Sequence, residues 1–167
     1  MAESLLDLQL TASLCDPFHP MLVEWKPQAV SKDGTRALAV PYIDARHYQH
    51  RLDQIAPGWQ TTYEFIRPDG SLVKCRLTIA GVTREEVGES DPNDPNTATS
   101  AVAQSFKRAC TAFGLGRYLY FLQQTWCTYD NQSRRITAPP TLPVWAKPGG
   151  GGFPIKNKEE VSGIHHN

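Results

Sequence analysis

The stretch SFKRACTAFGLGRYLY, residues 105–120, decides how this chain is read. Phe106, Ala109 and Phe113 recur at helical spacing, Val102 extends the stripe backwards, and Ala103 and Cys110 lie beside it. Gln104, Lys107, Arg108 and Thr111 fall on the other side of the same helix. The small residues predict a helix lying close to a sheet, ended by Gly114 and Gly116 as C-cap glycines end helices. Adjacent fixed charges in an element patterned as core therefore point outwards, and their function depends on what they meet there.

Upstream, SDPNDPN (90–96) reads as a loop, with Thr97 or Ser100 as the helix N-cap. Before it lies a meander. WQTTYEFIRP (59–68) and SLVKCRLTIA (71–80) alternate around Pro68-Asp69-Gly70, a strong hairpin signal, and GVTREEVGE (81–89) adds a third strand. Alternation places Val73, Cys75, Leu77 and Ile79 on one face and Leu72, Lys74, Arg76 and Thr78 on the other. Nearer the N-terminus, residues 3–15 form a short amphipathic helix, and Pro17 and Pro20 stop it. Strands over 21–26 and 36–43 are joined by a turn at SKDGT, and Asp44 caps a helix that runs to Pro57-Gly58. Beyond the main helix, residues 118–129 carry both strand and helix signals, and PPTLPVWAKP is extended. Residues 1–147 thus read as one α+β domain, and 148–167 as a Gly-rich, flexible C-terminal tail.

The whole sequence, 167 residues, is neutral and 40% hydrophobic, so overall charge gives no reason to expect a polyanion partner. The charge is uneven, however. Residues 85–95 hold five carboxylates and no base, whereas 96–129 hold Lys107, Arg108 and Arg117 and no acid. The four cysteines are widely spaced, without CxxC pairing, and read as small buried hydrophobes. His47 and His50 lack a third ligand, and Glu85 and Glu86 point to opposite faces of a strand, so no metal site is expected. Patterns for a serine hydrolase, a zinc protease or a Walker A loop are missing. The acidic N-terminus is unlike a secretory signal, and no apolar run has the length to span a bilayer. The expectation is a non-enzymatic cytoplasmic protein without cofactor or membrane partner.

Single-stranded nucleic acid needs a track of cations beside surfaces that tolerate any base. Lys107, Arg108 and Arg117 would supply the track, joined by Lys74 and Arg76 from the meander, with Lys26 and Arg36 adding to the wall and Tyr118 and Tyr120 offering stacking faces.

These residues resemble a known family. AVAQSFKRACTAFGLGRYLY (101–120) is similar to the signature of the Rad52/DdrA superfamily of single-strand annealing proteins, and its DdrA-like bacterial branch is the nearer one. VEWKP (23–27), IDARHYQHRLDQIAPGW (43–59), VKCRLTIAGVTREEVGE (73–89) and LPVWAKP (142–148) follow the family's order, so the resemblance covers roughly residues 20–147. It implies a β-β-β-α core in which an antiparallel meander packs on a main helix, assembling into a homo-oligomeric ring. It further implies single-stranded DNA in a basic groove between sheet and helix, and a role in annealing or 3′-end protection during double-strand break repair, near the nucleoid and with other repair proteins as further partners. Lys107 and Arg108 match the Lys-Arg pair that contacts the DNA backbone in the family, and Lys26 matches a basic residue at its groove. Thr111 stands where eukaryotic members carry a further arginine. The acidic SDPNDPN replaces a segment that carries a lysine of an outer DNA site, so the resemblance does not extend to that site. The C-terminal region that loads recombinase in eukaryotic members is expected to be absent. A protein-binding scaffold of the same fold, and an RNA-binding relative, are the alternatives.

Overall fold

The Pro68-Asp69-Gly70 turn and the glycine at 81 fold the middle of the chain back on itself twice. In the computed structural model, which describes residues 5–154, the result is an antiparallel meander of β3 (Gln60–Phe65), β4 (Leu72–Ile79) and β5 (Val82–Glu89). The register pairs Glu64 with Lys74, and Arg76 with Glu85. Val73, Cys75, Leu77 and Ile79 are fully buried on one face, as alternation predicts. Helix α3 (Thr97–Ala112) lies across that face on β4 and β5, completing the β-β-β-α core. A Cβ at Gly88 of β5 would fall onto the backbone of Ser105 and Ala101, so the missing side chain sets how deeply the helix sits.

The second sheet has the order β1–β2–β6–β7, from Glu24–Val30, Arg36–Tyr42, Thr125–Asp130 and Arg135–Ile136. Pro27 is tolerated in β1 because that strand is an edge, and a bulge follows between Pro27 and Ala29. Helices α1 (Leu8–Cys15) and α2 (Ala45–Ile55) close the core. Leu14, Tyr48, Leu52, Phe106 and Leu77 share one apolar cluster. Burying each such large side chain contributes about 1.5–3 kcal/mol. After α3 the chain turns through Gly114 (φ +96°) and Gly116 (φ +74°), where a Cβ would strike Cys15 Sγ and the Tyr48 ring respectively.

The α+β class and the meander-plus-helix core agree with the sequence reading, and several local details differ from it. Helix α1 begins at Leu8 rather than residue 3, because Asp7 caps it by accepting from Leu10 N–H at 2.7 Å; residues 1–4 lie outside the described residues. Residues 20–22 form a 3-10 turn, and strand β1 starts only at Glu24. Neither Thr97 nor Ser100 caps α3. The cap position is Asn96, without a side-chain bond, because the preceding loop already closes itself: Asp91 accepts from Asn93 N–H, Asp94 from Asn96 N–H, and Thr97 Oγ1 donates to Asp91 O. The mixed signals of 118–129 resolve into a 3-10 turn (Arg117–Phe121) and then β6. Extended 139–148 is interrupted by a 3-10 turn at Val144–Ala146. Of the tail, Gly149 N–H donates to Asp16 Oδ1 at 2.7 Å and Gly152 N–H to Trp145 O at 2.9 Å; residues 155–167 lie outside the described residues. All four cysteines are free, and Cys75, Cys110 and Cys127 are buried. Among the described residues no helix is long and apolar enough to cross a membrane.

Candidate nucleic-acid interface

The outward face of α3 forms one wall of a cleft of about 460 Å³, and β2 forms the other. Gln28, Gln104, Gln124, Tyr42, Tyr120 and Thr111 line it together with Lys107 and Arg108. One lining residue of this cleft, Tyr42, carries a ring shared by two lysines. Lys26 pairs with Val40, and Glu24 with Tyr42, so Lys26 and Tyr42 are diagonal neighbours on one face of the β1–β2 hairpin. Lys26 Nζ stands 3.2 Å from the Tyr42 ring centroid, and Lys107 Nζ approaches the same ring at 4.1 Å from α3. Such cation–π contacts contribute about 0.5–2 kcal/mol each. Lys107 Nζ also donates to Ile43 O at 3.3 Å, and Arg108 donates to Val87 O at 3.0 Å.

Burial pushes the Lys107 ammonium below the usual lysine range, the neighbouring Lys26 charge adds to that, and Asp44 opposes it. Among the described residues the ion pairs are Arg46–Asp44, Lys74–Glu64, Lys74–Glu85 and Arg76–Glu85, so none involves Lys26, Lys107 or Arg108. These three cations meet a neutral ring and backbone carbonyls, and none of them is closed off by an ion pair among the described residues.

The other expected cations are placed elsewhere. Lys74 and Arg76 occupy the face of the meander turned away from α3. Lys74 Nζ lies 2.8 Å from Glu64 Oε2 and 3.9 Å from Glu85 Oε2, and Arg76 Nε lies 2.5 Å from Glu85 Oε1. The Lys74 pKa is raised and that of Glu64 lowered, each chiefly by their mutual hydrogen bond. Arg117 donates to Thr111 O (2.9 Å) and Ala112 O (3.0 Å), and Arg84 donates to the same Ala112 carbonyl. Both arginines thus serve the negative end of α3. Arg36 sits at the hairpin end of β2 beside Trp126. The two tyrosines separate: Tyr120 is 67% exposed at the cleft, but Tyr118 is 1% exposed and part of the core, so it offers no stacking face. Tyr42 escaped the sequence reading. The signal that finds it is the hairpin register, which sets it diagonal to Lys26.

Among the described residues no group of His, Cys, Asp and Glu is placed to hold a metal ion.

Comparison with known proteins adds a family. The family model for Rad52/22 double-strand break repair proteins matches residues 8–137, a span from α1 to β7 that contains Lys26, Tyr42, Lys107 and Arg108. The single-stranded DNA-binding protein DdrA of Deinococcus deserti is 42% identical over 135 residues, 79% of this chain and 67% of that protein. Its namesake from Deinococcus radiodurans is 40% identical over 134 residues, 79% of this chain and 64% of that protein. The chain therefore spans about two thirds of the length of these relatives.

Proposed function

The chain belongs to the Rad52/22 family of double-strand break repair proteins, and from that premise we propose that it binds single-stranded DNA in the cleft between β2 and α3. There it anneals complementary strands, or shields 3′ ends, during break repair. The observation that carries this reading is the Lys26–Tyr42–Lys107 stack with Arg108 beside it: three cations without a carboxylate ion pair, of which Lys107 and Arg108 line an open cleft and Lys26 reaches it through the Tyr42 ring. Phosphates complete these cations. The glutamines and Tyr120 around them accept any base, and base edges left free can pair with a second strand.

Annealing of this kind makes and breaks no covalent bond, so it asks for neither nucleotide nor metal; pairing supplies the free energy. The protein works as a homo-oligomeric ring. Supporting this, β3 and β5 are sheet edges, and the apolar face of β3 continues past α3, leaving Tyr63 38% and Phe65 55% exposed. Repetition of one weak cleft around a ring lets a neutral protein hold DNA tightly. We place this activity in the cytoplasm at the nucleoid, in reach of other repair proteins.

The test is fluorescence anisotropy of labelled single-stranded DNA over a salt series, with oligomer size measured in parallel. With about three phosphates neutralised per subunit, log affinity falls against log salt with a slope of about −2 per subunit. Lys107→Ala/Arg108→Ala keeps its oligomer size and loses at least about 100-fold in affinity, at about 1.5–3 kcal/mol for each of the two charged contacts. An intact double variant that binds as the parent does would refute the cleft assignment and favour a scaffold.

A further inference from the structure

The cleft occupies only one end of its sheet face. Side chains alternate along β2, so Ala37 and Ala39 point inwards at 0% exposure, while Arg36, Leu38, Val40 and Tyr42 share the outer face. Strand β6 extends that face, because Trp126 pairs with Leu38 and Thr128 with Arg36. The face thus runs from the Lys26–Tyr42–Lys107 stack to the hairpin end of β2, six residues or about 20 Å away. At that far end Trp126 is 44% exposed, whereas Trp25, Trp59 and Trp145 are partly buried against the core. The Arg36 guanidinium carbon lies 5.8 Å from the indole centroid, and a recess of about 410 Å³ opens beside them, lined also by Ser31, Lys32 and Asp33.

Building on the single-stranded DNA reading above, we propose that Trp126 is a base-stacking platform: one unpaired nucleobase of the strand that leaves the cleft lies on the exposed indole, with its flanking phosphates on Arg36 and Lys32. An aromatic face flanked by cations is the pairing that single-stranded DNA uses, since every base has a π-face. Asp33 decides which part of the nucleotide enters the recess. Its Oδ1 accepts from Ser31 Oγ at 2.6 Å and Thr35 N–H at 3.1 Å. These bonds, the Ser31 hydroxyl foremost, pull its pKa to about 2 and keep it anionic. A fixed anion at the recess wall turns phosphates to the rim and leaves the interior to the uncharged base.

The experiment follows the tryptophan emission of the full chain during titration with an unlabelled thymidine oligonucleotide, alongside anisotropy with a labelled one. The parent protein loses part of its emission on binding. Trp126→Phe keeps its affinity within about threefold, because a ring remains, and loses that quenching. Trp126→Ala binds about 5- to 100-fold more weakly at unchanged oligomer size. The platform is refuted if Trp126→Phe is quenched like the parent, if Trp126→Ala binds like the parent, or if acrylamide fails to reach Trp126 before DNA is added. In each of those cases the parent still raises the anisotropy, so the cleft reading survives. A parent that raises no anisotropy at low salt removes both.

Discussion

Two pairs of neighbouring cations lie on regular elements of this chain, Lys74 and Arg76 on β4 and Lys107 and Arg108 on α3, and their surroundings are opposite. The β4 pair faces acids supplied by the strands on either side, Glu64 from β3 and Glu85 from β5. The α3 pair faces an aromatic ring, two carbonyls and open space. In sequence the two look equally basic. The difference is that a strand's neighbours arrive in fixed register and can cancel its charge, while the outward side of α3 is presented to a cleft whose walls carry amides and tyrosines. Charge that a fold leaves uncancelled is charge available to a ligand.

The largest test of this contrast swaps charge for an isosteric amide on each side. Lys107→Gln/Arg108→Gln is expected to weaken single-stranded DNA binding about 100-fold, and Lys74→Gln/Arg76→Gln by less than about threefold. Equal losses, measured by anisotropy on variants of unchanged oligomer size, would break the comparison.

A smaller effect comes from pH. Burial and Lys26 lower the pKa of Lys107, whereas a bound phosphate favours its charged form. Affinity should therefore fall as pH rises through the lowered value, below the ordinary lysine pKa of about 10.4, by at most about tenfold per pH unit. The sign for folding is the reverse. A lysine depressed in the folded state costs stability while protonated, and the cost is relieved as pH rises through the folded pKa towards the unfolded one. Alkaline pH thus favours the fold at this residue while it weakens the complex. Lys107→Arg, charged throughout, should hold its affinity over the same range; parallel profiles for the two proteins would show that Lys107 does not titrate in the complex's working range.

The smallest effect sharpens the contrast from the other side. Glu64→Gln/Glu85→Gln frees Lys74 and Arg76 with little loss of stability, because exposed pairs contribute little. Affinity should rise about two- to threefold with a steeper salt slope. An unchanged slope would mean that position on the sheet, rather than neutralisation, keeps these residues out of the DNA path.

The meander, the main helix and the outward direction of Lys107 and Arg108 were legible from period and turn chemistry, because each depends on residues close together in sequence. Partners across strands were not. The cancellation of Lys74 and Arg76 follows from a register that two turns set, at Gly70 and Gly81, and counting outwards on both sides of those turns finds Glu64 and Glu85. The Lys26–Tyr42 contact crosses a hairpin whose register shifts at a bulge, so alternation alone does not reveal it. Tyr118 and Tyr120 differ in fate because they sit on a 3-10 turn, where neither the helical nor the strand period says which points inward. The loop before α3 closes through its own aspartates, which made the threonine and serine after it poor guides to the helix start.

Gly88 acts on the cleft as a shim does on a bearing. With no atom beyond the backbone on that side, α3 seats directly against β5, and Arg108 reaches the carbonyl of Val87, the residue just before the glycine. Any thicker part in that gap raises the whole helix, and with it the height of both cations above the opposite wall. The reach of the charges towards the opposite wall is thus gauged by a residue that carries no side chain of its own, and a mutation there should be felt as a misalignment of the cleft as much as a loss of packing.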